Sequence, residues 1–153
     1  MVGVHRTRTL RGTVVEGETH RLVVDDGDLN HGYKIKRFIV SSRYPANSAN
    51  GCFGTLHLDQ VTDPIWNWND NRQIAWASTS ITGTGANNAA NAPFSLVDPD
   101  HIVLRDLFLT CQLGQDTVDG ALVNYFVELE TVEITDNQAV LTLIKERSQD
   151  DLR

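Results

Sequence analysis

The chain has 153 residues, 41% of them hydrophobic and 22% charged, with a formal net charge of −7. That length predicts one domain able to bury its own core without a metal or a disulfide, and the acidic balance argues against nucleic acid as a partner. No run approaches the roughly 18 apolar residues of a membrane span, and the start, Met1-Val2-Gly3-Val4-His5-Arg6, lacks the apolar region of a secretory signal, so synthesis in the cytoplasm without membrane attachment is expected.

Residues 1–9 read as a flexible basic arm, with His5, Arg6 and Arg8 offset by no acid. Such an arm is a contact element or a frayed terminus. The domain proper is expected over 10–150. Residues 10–15 and 20–24 are short strand candidates rich in Val and Thr, joined by Glu16-Gly17-Glu18 as a tight turn. The polar loop over 25–32 carries three Asp but lacks the spacing and closing Glu of an EF-hand loop, so calcium is not expected there. Residues 33–42 form a strand whose apolar set changes phase midway, the mark of a bulge or a strong twist. Residues 43–51 are a loop. Over 52–61 Cys52, Gly54, Leu56 and Leu58 share one side of a strand.

Pro64-Ile65-Trp66-Asn67-Trp68-Asn69-Asp70-Asn71 is an unusual loop. Trp66 and Trp68 point the same way if it is extended. Three roles suit it: a plug at the end of a sandwich, a protein interface, or a glycan platform made of Trp66, Asn67, Trp68 and Asn69. In the next strand, 73–82, Ile74, Trp76, Ser78 and Ser80 oppose Ala75, Ala77, Thr79 and Ile81. Residues 83–93 are small and without apolar period, predicting a long exposed binding loop that includes Asn87 and Asn88. Residues 94–97, 101–104 and 107–113 follow as apolar stretches, the last a clean alternation of Leu107, Leu109, Cys111 and Leu113. In the terminal strand Val123, Tyr125, Val127 and Leu129 form one face. Val132 and Ile134 then take the apolar places, which predicts a bulge after Thr131. Thr135 with Gln138 three residues on is a capping-box pattern, and Ala139, Val140, Leu143 and Ile144 recur at helical spacing. A short C-terminal α-helix is expected.

About eight strands and one terminal helix predict an all-β antiparallel sandwich, with a jelly roll favoured over an immunoglobulin-like arrangement because neither cysteine has a Trp at the immunoglobulin spacing. Cys52 and Cys111 read as buried free thiols, since cytosolic origin disfavours a disulfide. Catalytic templates fail: there is no Gly-x-Ser-x-Gly elbow, and the five histidines are scattered, His57 and His101 reading as satisfied structural imidazoles. Glu128 and Glu130 share a strand face about 6.5–7 Å apart by strand rise, near glycosidase spacing. Alternating acids on a wet face are more commonly solubility or a row of charge for a partner. No catalytic residue, metal or cofactor is expected. Charge is uneven along the chain. Up to His57 eight cations face five acids, a balance of +3, which leaves −10 beyond. Such polarity suits head-to-tail association.

Three stretches carry a family resemblance: His31-Gly32-Tyr33-Lys34-Ile35-Lys36-Arg37-Phe38, Gln73-Ile74-Ala75-Trp76-Ala77, and Val123-Asn124-Tyr125-Phe126-Val127-Glu128-Leu129-Glu130 with Asp136-Asn137-Gln138-Ala139-Val140. Together they resemble small structural proteins of tailed bacteriophages from marine samples, over most of residues 10–150. The resemblance implies a capsid cement or decoration protein, a spike, or a head-to-tail part. It implies location in the virion, homo-oligomers, and contact with the major capsid protein or other virion proteins, with no catalytic residues. The contact elements expected are the arm (Arg6, Arg8, Arg11), Trp66 and Trp68, and the loop at Asn87 and Asn88. The alternative is a glycan-binding spike or tail module built on Trp66 and Trp68.

Overall fold

The alternating stretches become eight strands and two sheets. The computed structural model describes residues 6–25, 27–28, 30–43, 51–60, 65–82, 90–113 and 122–134. The strands are β1 (Arg6–Val15), β2 (Thr19–Val23), β3 (His31–Ser42), β4 (Cys52–His57), β5 (Gln73–Thr82), β6 (Ala90–Val97), β7 (Asp106–Leu113) and β8 (Leu122–Glu133). One sheet has the order β1-β8-β3 and the other β2-β7-β4-β5-β6. Every pairing is antiparallel, so the described residues form an all-β, sandwich-like pair of sheets.

The apolar period decides which sides meet. The smaller sheet turns Val14, Phe38, Val40, Val123, Val127 and Leu129 inward, and the larger sheet answers with Leu56, Ala75, Ala77, Leu107, Leu109 and Cys111. Gly54 sits where the sheets come closest. A Cβ there would meet Val40 Cγ1 at 2.9 Å, Cys111 Sγ at 3.1 Å and Phe38 Cζ at 3.2 Å. A glycine inside a strand commonly marks such an approach. β3 is an edge strand, and two of its carbonyls are capped from across the sandwich. Thr79 Oγ1 donates to Val40 O at 2.6 Å and Ser95 Oγ to Phe38 O at 2.7 Å. The capping joins the edge of the smaller sheet to the β5–β6 end of the larger and removes two open acceptors.

Several expectations change. Residues Arg6 to Thr9, expected as part of a flexible arm, are strand and pair with Thr131 to Glu128 of β8; residues 1–5 lie outside the described residues. The ladder with β3 keeps its register past Thr131, so no bulge is present there. The change of phase is seen in burial alone: Thr131 is the last buried odd-numbered residue of β8, Glu133 is exposed and Ile134 is buried. The phase change foreseen in 33–42 is present, as a register shift between Ile35 and Arg37 that leaves Lys36 as the extra residue. The long loop foreseen over 83–93 is strand from Ala90 onward, paired to β5. Cys52 and Cys111 are buried free thiols. The expected C-terminal helix lies outside the described residues.

Candidate functional site

Because Gly54 and Leu56 face the core, Phe53, Thr55 and His57 face away from it. Register then fixes their neighbours on the outer face of the larger sheet. Phe53 lies beside Ser78 and Gln112, Thr55 beside Trp76 and Thr110, and Ser78 and Trp76 beside Phe94 and Leu96 of β6. Residues 65–70 cross this face. Trp66 meets Phe53 edge-on at 6.1 Å and leans on Phe94 at 5.8 Å, while Trp68 meets Trp76 edge-on at 6.0 Å. These offset and edge-on geometries are those that aromatic quadrupoles favour.

One buried residue ties the crossing segment down. Gln73 Oε1 accepts from the Asn67 amide at 2.7 Å and from Trp76 Nε1 at 3.0 Å, and Gln73 Nε2 donates to Ile65 O at 2.9 Å. Next to it, buried Arg72 donates from Nε and Nη2 to the two oxygens of Asp70, each at 3.0 Å, and lies 3.6 Å from Asp59. The fork-on-carboxylate pairing is the strong form of ion pair. Asp70 Oδ1 also accepts the Arg72 amide, closing the turn into β5.

Beneath this cover His57 is fully buried, and neither ring nitrogen has a hydrogen-bond partner. The satisfied imidazole expected from sequence is thus not found. Burial lowers its pKa from 6.5 to about 4, against the pull of Asp70, so the ring is neutral at pH 7. Thr55 Oγ1 beside it is also buried without a partner. Among the described residues no group of three or more His, Cys, Asp or Glu is placed to hold a metal ion.

The surface of this cover carries large apolar side chains beside exposed Asn67, Asn69 and Asn71. Ile65 is 65% exposed, Trp68 61%, Leu96 42% and Phe94 41%. Sequence reading singled out Trp68 but passed over Ile65, Phe94 and Leu96. The signal was available in the alternation of β6, where Phe94 and Leu96 bracket Ser95; it did not reveal which parity faces solvent.

The two tryptophans pack on different partners: Trp66 on Phe53 and Phe94, Trp68 on Trp76. The Asn67 side-chain Oδ1 accepts from the Asn69 backbone amide at 3.1 Å. Of the three arginines, Arg6 and Arg11 are exposed. Arg8 is tied inside the molecule, donating to Val24 O at 2.6 Å with its guanidinium 5.7 Å from the Tyr33 ring centre. Asn87 and Asn88 lie outside the described residues. Glu128 and Glu130 do share the outer face of the smaller sheet, each beside a cation: Arg37 Nε at 3.8 Å and Lys36 Nζ at 2.7 Å. Arg37 also lies 5.2 Å over the Phe126 ring.

Comparison of the chain with protein-family models, curated proteins and solved structures returned no match. Among the described residues no helix is long and apolar enough to cross a membrane.

Proposed function

We propose that this chain is a non-catalytic structural component of a bacteriophage virion, a capsid cement, decoration or minor capsid protein that stabilises the particle through contacts with the major capsid protein and with its own copies. One observation carries the reading: Ile65, Trp68, Phe94 and Leu96 expose their side chains together on the outer face of the larger sheet. Contiguous exposed apolar surface marks contact sites, and Trp is the residue type most enriched among the anchors of protein interfaces. The strand order supports a jelly-roll reading of the sandwich. β1 with β8, β2 with β7 and β4 with β5 are nested pairs, and β6 packs against β3, the remaining pair of that scheme. Jelly rolls recur in viral capsid domains, which is fold-level analogy and adds only modest weight.

Cosedimentation with particles of the encoding phage tests the proposal. Trp68→Asp should lower the bound copies about tenfold, the loss of one interface anchor. Binding unchanged by Trp68→Asp would refute this use of the face. A second reading, a glycan-binding spike or tail module, draws on the exposed ring of Trp68, braced edge-on by Trp76. It predicts glycan-array signals that Trp68→Ala abolishes.

A further inference from the structure

The two outer faces of the sandwich are unlike in charge and alike in having an apolar centre. On the smaller sheet the outward positions carry Phe126 and Ile39 in the middle. Around them stand Arg11, Lys34, Lys36 and Arg37, with exposed Arg43 just past the end of β3. Glu128 and Glu130 are the outward carboxylates by strand register, and exposed Glu133 and Arg6 at the end of the sheet offset one another, so six cations against three acids leave +3 among the described residues. On the larger sheet the apolar surface of Trp68, Leu96, Phe94 and Ile65 is bordered by Asp59, Asp70, Asp98 and Asp100. Arg72 is the cation among them, which leaves −3. Asp98 follows Leu96 by two residues and is fixed by its amide on Ile74 O at 2.9 Å.

From this pairing we infer that the aromatic face of the larger sheet docks a second copy of the chain, received on the basic face of that copy's smaller sheet. The inference rests on the protein-contact reading above and names the partner surface. Opposite potentials around apolar centres are the arrangement that steers encounter and fixes register. The two faces look in opposite directions across the sandwich, so the contact is heterologous. Each copy gives one face and receives on the other, and the products are rows or large rings rather than closed dimers.

Sedimentation equilibrium of the full chain up to ~1 mM tests this, since a contact of millimolar Kd or tighter populates complexes there. Wild type should rise above the monomer mass of 17.0 kDa, and rise less when salt shortens the Debye length from about 10 Å to about 3 Å. Two variants separate the faces: Trp68→Asp with Leu96→Asp, and Arg11→Glu with Arg37→Glu, each checked for fold by circular dichroism. Each alone should remain monomeric. Mixed in equal amounts they should form a 1:1 dimer and nothing larger, because one intact donor face meets one intact receiving face. Self-association of either variant alone, or a mixture that stays monomeric, overturns the contact. So does a wild type that is monomeric throughout. If that monomer is still recovered with particles, and Trp68→Asp prevents recovery, the face belongs to a foreign partner and the virion reading stands. If it is absent from particles, that reading falls too.

Discussion

At the scale of single residues, the cover over the larger sheet is held by groups whose loss is costly. Asp70 neutralises a buried guanidinium and closes the turn into β5. Asp70→Ala should therefore destabilise the fold by about 3 kcal/mol in urea unfolding, the scale of breaking a buried ion pair, with Asp59 at 3.6 Å still beside the guanidinium. His57 sets a pH dependence. Its folded-state pKa of about 4 lies below the unfolded value of 6.5, so below 6.5 the unfolded chain binds a proton that the folded chain refuses. Stability is full above pH 6.5 and falls as the pH drops toward 4, by about 3 kcal/mol in all. His57→Phe should flatten that part of the urea-midpoint profile; an unchanged slope would assign it to other groups. Burial pushes Cys52 up to about 11 and Cys111 higher still, so neither thiol should react with an aromatic disulfide reagent at pH 8 until the protein unfolds.

At the scale of elements, Gly54 and the small row Ala75, Ala77 and Thr79 let β4 and β5 approach β3. Gly54→Ala should cost about 1–3 kcal/mol by overpacking, measured by thermal or urea unfolding. Most strands were legible because period-2 alternation is strong where one face is buried, as with Val123, Val127 and Leu129 in β8 or Leu107 to Leu113 in β7. The errors have physical causes. The apolar change at Val132 and Ile134 suggested a bulge, but it falls where β8 ends, so burial changes without an extra residue in the ladder. Ala90 to Pro93 are small and unpatterned, and it is pairing with β5 that makes them strand. The arginines of β1 looked like a free arm, because pairing with β8 lies more than a hundred residues away in sequence. The candidate site was only partly legible. Trp66 and Trp68 drew attention by type, but the segment that carries them is held by Gln73, whose three hydrogen bonds no local pattern announces.

At the scale of the whole molecule, a sequence charge imbalance of +3 before His57 and −10 after it becomes something more specific. β3 and β1 bring cations to one outer face, while the segment after β4, β6 itself and the segment after β6 bring acids and apolar side chains to the other. The fold thus converts a distribution along the chain into two surfaces with opposite fields. Such surfaces suit the protein-contact role proposed for this chain, in the shell of a particle. Quantitative peptide mass spectrometry of purified particles of the phage proposed to encode it tests that claim most directly. The account predicts this chain at a fixed copy ratio to the major capsid protein; particles that lack it, or carry it only in traces that vary between preparations, would contradict the account.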